Sequence, residues 1–267
     1  MAIQVKSHDL AVKAQREASA QRVIDHFPDR LPLLRLFCFF DDEDWQPFKG
    51  HWGKANRGFY TPIKENTFND VAWPDYVTEC IFVDDPASAS LERVFDHVIY
   101  LHGSTCVSET GLTMTFAHEL QHFVQHSNVR RLWAENTLIQ NLPKYVINAL
   151  RLKWSDIPIE REARIVAKRT AESLCGSGRV REYVEVRITE AVNADDADDW
   201  RFVQGLVAST SCDLADETRL ISQRLKPYRS QLEELLQEVK DDLDFGDIDL
   251  NALLDGASTA LSGSHVT

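Results

Sequence analysis

Residues 113–127 read TMTFAHELQHFVQHS, and the register of this stretch decides how the rest of the chain is arranged. Leu112, Phe116, Leu120, Phe123 and Val124 recur at helical spacing and make one core-facing stripe. His118 and His122 fall on the other side, with Gly111 and Thr115 one or two turns earlier on that same side. Residues four apart stand one above the other on a helix, so both imidazoles can point at one place. The expectation is a helix buried along one face that presents two histidines to a cleft on the other.

His118-Glu119-Leu120-Gln121-His122 is an HExxH pentapeptide. Two neutral imidazole nitrogens supply half of a tetrahedral zinc shell, and Glu119 projects beside the ion, where a carboxylate can act as general base. On a helix this pattern is the mark of zinc metallopeptidases. A catalytic zinc needs a third protein ligand and one open position. The candidates are His126, Glu160 and Glu162. Ligands at i, i+4 and i+8 lie nearly in a line, and the HExxHxxGxxH alternative needs a glycine and a histidine that are absent here. His126 is therefore expected at a cleft rim or in solvent.

Residues 155–163, SDIPIEREA, carry the marks of a helix start: polar caps, then a proline in the first turn. That helix should run to about Cys175 and stop at Gly176. Glu160 shares a face with Ala163, Ala167 and Ala171, and an alanine stripe lets another helix come close. Glu162 projects to roughly the opposite side. Glu160 is thus the expected third ligand and Glu162 its rival, although carboxylates are also favoured in a first turn by the helix dipole alone.

HExxH followed by ExxAxxxA at Glu160, Ala163 and Ala167 resembles the Glu-liganded zincins, the gluzincin class. Within it, the chain is similar to compact peptidases of the ImmA/IrrE kind, and it shares the ExxA element with the membrane-spanning HtpX group. The resemblance covers residues 110–169 and leaves 1–105 unmatched. It implies a zinc-dependent endopeptidase cleaving intracellular protein substrates. One Zn2+ per chain would sit on His118, His122 and Glu160, with Glu119 as general base toward a metal-activated water. The competing reading is a zinc-bearing regulatory or binding module without turnover. Those families often carry Asn or Asp directly after the first alanine, where this chain has Arg164. Tyr145, Tyr183, His126 and Arg164 are candidates to stabilise the oxyanion, and spacing selects none of them.

Net charge of −13, from 29 basic and 42 acidic residues, argues against a nucleic-acid binder that works by broad phosphate neutralisation. The five cysteines never form a CxxC pair, a pattern of buried thiols in a reducing compartment. Residues 1–21 are polar and helical in pattern with no signal-peptide core, and no apolar run reaches membrane-spanning length, so the expectation is a soluble cytoplasmic protein with no membrane association. Its expected partners are a protein or peptide substrate, and a regulatory partner or second copy at the C-terminal helix.

The order of elements predicts an α+β fold. A small N-terminal sheet packs on the metal-bearing helix as in a minimal zincin-like core, and a mainly helical C-terminal half follows. The expected domain is 1–243, with a strand-rich part at 8–105, a helical part with the metal site at 106–243, and an acidic mobile tail at 244–267. Residues 8–26 read as a helix, 31–40 as a buried strand, and 80–83 and 97–101 as further strands. The last of these is expected at a cleft edge or in the sheet interior. The aromatic block 41–79, including Trp45, Trp52 and Trp73 with Lys49, Lys54, Arg57 and Lys64, reads as core, substrate wall or nucleic-acid platform. Asp195, Asp196, Asp198 and Asp199 resemble part of a calcium loop but lack its glycine and terminal glutamate, so they are expected to cap a helix. A long charged helix is expected over 216–243.

Overall fold

The computed structural model describes residues 2–7, 10–33, 35–41, 58–63, 75–85, 90–93, 95–238 and 248–255. The strand-rich part comprises β1 (Ala2–Ser7), α1 (Lys13–Asp25), β2 (Arg35–Asp41), β3 (Gly58–Pro62), α2 (Asp75–Ile81), β4 (Phe82–Asp85), β5 (Ser90–Arg93) and β6 (His97–His102). Helices follow: α3 (Glu109–Asn128), α4 (Arg130–Gln140), α5 (Lys144–Leu150), α6 (Pro158–Cys175), α7 (Ser177–Thr189), α8 (Ala194–Gly205), α9 (Leu214–Arg224), α10 (Arg229–Glu238) and α11 (Leu250–Asp255). The fold is α+β, a small N-terminal sheet followed by a mostly helical remainder.

The chain divides into two compact units, residues 1–123 with 166–183, and residues 124–165 with 184–267. In the first, the sheet runs in the order β1-β2-β6-β3, with β1, β2 and β6 parallel and β3 antiparallel to β6. Parallel neighbours need a crossover, and α1 supplies it between β1 and β2. β6 lies inside the sheet and is buried on both faces, which is why its middle, Val98 to Leu101, is a run of large hydrophobic residues. Alternate residues take opposite faces. Phe37, Phe59, Val98 and Tyr100 pack with Val77 and Ile81 of α2. Tyr60 and His97 instead meet Phe123 of α3, at ring-centroid distances of 6.2 and 5.0 Å. In the second unit, Leu138, Ile139, Val146, Ile221, Leu225 and Leu232 form the core.

Several sequence expectations change. The N-terminal residues are not all helical: Ala2–Ser7 pair in register with Arg35–Phe40 as a strand. The strand at 97–101 is interior rather than a cleft edge, because β2 and β3 flank it. Among the described residues β3 ends the sheet instead, and Pro62 suits that place, since proline lacks a ladder donor. The strand expected at 80–83 starts only at Phe82, after α2. The single long helix over 216–243 is broken into α9 and α10 by a tight turn at Lys226–Tyr228 that contains Pro227. Inside the expected tail, α11 buries Leu253 and Leu254 against the second core. Most of the aromatic block, with Trp45, Trp52, Trp73, Lys49, Lys54, Arg57 and Lys64, lies outside the described residues, as do 256–267.

The five cysteines are free thiols, and burial pushes Cys38 well above its ordinary value, as befits an inert packing residue. Among the described residues, no helix is long and apolar enough to cross a membrane.

Candidate metal centre

Helix α3 is more deeply set than its sequence suggests. Leu112, Phe116, Leu120, Phe123 and Val124 are buried as expected, but so are Thr113, Glu119, Gln121, His122, Gln125 and His126 on its other sides. Between Thr110 and His126 only Thr115 and His118 are partly open, and these share one face. Each large apolar side chain contributes about 1.5–3 kcal/mol on burial. A buried polar group left unsatisfied costs about 1–3 kcal/mol, so the apolar stripe can hold the polar residues of the same helix in place.

The two imidazoles face each other, His118 Nε2 to His122 Nε2 at 3.0 Å, with ring planes at 86°. Two such nitrogens share either one proton or one cation, and neighbouring ligands of a tetrahedral zinc stand about 3.3 Å apart. A carboxylate oxygen of Glu160 completes the group. One donor atom from each of the three residues lies within 4.8 Å of the others, and Glu160 and His122 are buried. Two imidazoles and a carboxylate, with no thiolate, make a donor set that could hold a metal ion.

Local sequence explains why Glu160 is available. Pro158 opens α6, and Gly176 closes it with φ of +88°, a left-handed value that glycine adopts without cost. Ala163, Ala167 and Ala171 are buried along the face that Glu160 shares. Both carboxylate oxygens have donors: Gln140 Nε2 to Oε1 at 2.9 Å and Arg164 Nη1 to Oε2 at 2.9 Å. A carboxylate has about four lone-pair sites, so room for a metal remains. Glu162 is not in the group. Its Oε2 accepts from Gln125 Nε2 at 2.8 Å, and the same amide donates to the carbonyl of Ile159 at 2.9 Å.

Glu119 is buried, and its Oε1 lies against β3. A Cβ built on Gly58 would come within 3.2 Å of that oxygen and 2.8 Å of Thr115 Cγ2, so glycine lets the last strand of the sheet approach the helix. Tyr60 Oη and His97 Nδ1 share a hydrogen bond of 2.9 Å just beyond Phe123, tying β3 and β6 together beside α3.

His126 is neither rim nor solvent. It is buried, edge-on to the Trp133 ring at 5.8 Å, and outside the metal group. Tyr145 is exposed on α5, Tyr183 packs beside Gly111 at the start of α3, and Arg164 is engaged with carboxylates, so the structure selects no oxyanion donor from these. Asp195 and Asp196 occupy the first turn of α8, capped by Asn193, whose side chain accepts from the Asp196 amide at 2.9 Å. Asp198 pairs with Lys153 and Arg201, and Asp199 with Arg164. Gln125, Gln140, Asp199 and Gly58 were not found from sequence. Gln140 lies 20 residues from Glu160, Asp199 lies 35 from Arg164, Gln125 lies 37 from its partner Glu162, and Gly58 comes from another strand, so no short spacing reports these contacts.

No family model, curated protein or solved structure matches this chain.

Proposed function

We propose that this protein is a zinc-dependent endopeptidase in which His118, His122 and Glu160 hold one zinc ion and Glu119 serves as general base. The observation that carries this reading is the meeting of one carboxylate from α6 with the two facing imidazoles of α3. The residue beside the first histidine is the buried Glu119, as the HExxH chemistry requires. Zinc, when bound there, supplies a Lewis acid that polarises a carbonyl and makes water nucleophilic near neutral pH. Glu119 takes the proton of the attacking water and hands it to the leaving amine. Among the described residues β3 ends the sheet beside Glu119, so an extended peptide laid along it would be held through its main chain. That mode favours protein substrates over small molecules.

The test is cleavage of a defined peptide library, with products read by mass spectrometry and metal content measured on the same samples. Wild type should carry about one zinc per chain and cut. Glu119→Gln should keep the zinc and lose about 10²–10⁴-fold in rate, and His122→Ala should lose both. Equal cleavage by Glu119→Gln and wild type rejects the mechanism. Zinc binding without any cleavage by wild type converts the reading to a zinc-bearing module without turnover. Gly58→Ala presses a methyl toward Glu119, so its rate should fall about 10–100-fold with zinc content unchanged.

A further inference from the structure

Behind Glu160 stands a second carboxylate that shares its guanidinium. Arg164 Nη1 donates to Glu160 Oε2 at 2.9 Å and Nη2 to Asp199 Oδ2 at 3.2 Å. All three side chains are largely shielded from water. We infer that Arg164 and Asp199 are a positioning pair for the metal carboxylate: Arg164 fixes Glu160 from behind, and Asp199 balances the guanidinium charge so that Glu160 can also serve a divalent cation.

Charge bookkeeping motivates the pairing. A guanidinium directly on a metal-binding carboxylate withdraws charge from it and repels the ion on the other side. Without Asp199, Glu160 and Arg164 would sum to zero, and a dication would meet a neutral pair. With Asp199, two carboxylates flank one guanidinium and leave one net negative charge for the cation. The groups feel one another. Asp199 is pushed up first by burial, pulled down by Arg164 and a hydrogen bond from Ser155, and pushed up again by Glu160. Arg164 also donates to the backbone carbonyl of Glu160 at 3.2 Å, which fixes the guanidinium on the same helical turn. Here the acid comes from α8, 35 residues beyond Arg164.

This inference rests on the proposed metal reading, and the test separates the two. Zinc affinity is measured on purified full-length protein by competition with a chromophoric chelator, alongside the melting temperature of the metal-free form. Outer partners of metal ligands typically change affinity about 10–100-fold, and Asp199→Asn should weaken zinc by that much. The diagnostic is the double variant Arg164→Met/Asp199→Asn. Removing the surplus guanidinium should restore most of the lost affinity, an outcome that a merely structural role for Asp199 would not produce. Lys153→Met, which strips the partner of neighbouring Asp198, should leave zinc affinity within about twofold of wild type. An Asp199→Asn protein that binds zinc like wild type overturns the pair, as does a double variant no tighter than Asp199→Asn. Should Asp199→Asn misfold, the folded double variant alone decides: near wild-type affinity supports the pair and a loss comparable to one ligand rejects it. Absence of zinc binding by wild type overturns both this inference and the metal reading, whereas His122→Ala losing zinc while Asp199→Asn keeps it overturns this inference alone.

Discussion

Two helix starts in this molecule carry clustered carboxylates, and they have come to opposite ends. At the first turn of α6, Glu160 is buried among alanines, with a donor on each oxygen and two imidazoles within reach. In the opening turns of α8, Asp198 stands in water between Lys153 and Arg201. The Lys153 hydrogen bond, then that of Arg201, holds Asp198 below its ordinary value of 3.8. Both helices satisfy the same dipole preference for acids at the N-terminus. What distinguishes a candidate ligand from a solvated ion pair is burial and fixed donors, not the presence of acids.

The largest expected effect breaks the comparison at α6 itself. Glu160→Gln should weaken zinc more than about 100-fold, beyond what outer partners contribute. Glu162→Gln, two residues away and within reach of Gln125, should change affinity by less than about threefold. If both substitutions weaken zinc alike, the distinction between the two carboxylates fails. The smallest effect lies at α8. Asp198→Asn should shift the melting temperature by no more than about 2 °C at pH 7, because exposed pairs contribute little. The sign is fixed: a carboxylate depressed in the fold contributes stability above its unfolded value, and that contribution is lost as pH falls through the folded one. The difference between Asp198→Asn and wild type should therefore begin to shrink as pH falls below about 3.8 and be gone only once pH is below the depressed folded value, and at neutral pH it should shrink in high salt. A shift that grows on acidification would show that Asp198 acts through something other than these cations.

Much of the site's scaffold was legible because its signals are local. The apolar stripe of α3, the buried run of β2, Pro158 at the start of α6 and Gly176 at its end are all written within a few residues of one another. The alanine face singled out Glu160 over Glu162 for the same reason. β1 was missed because it is a short strand whose only alternation is Ile3 and Val5, too little to outweigh its polar residues. Strand order is a long-range property, so the interior place of β6 and the end place of β3 could not be read from either segment. Pro227 was visible in the chain, and the continuous helix over 216–243 should have yielded to it. The donors to Glu160 come from residues 140 and 164, and the carboxylate of Asp199 accepts from Arg164 behind them; only Arg164, one turn along, sits at a spacing that sequence can interpret.

Zinc K-edge absorption on the metal-loaded protein tests the central claim most directly, because it reports the atoms around the ion. An ion held by His118, His122 and Glu160 should give a nitrogen/oxygen shell at about 2.0–2.2 Å with the outer scattering of two imidazoles, no sulfur, and a changed shell in Glu160→Gln. A sulfur shell near about 2.3 Å, or a spectrum untouched by replacing His118, His122 or Glu160, would contradict it.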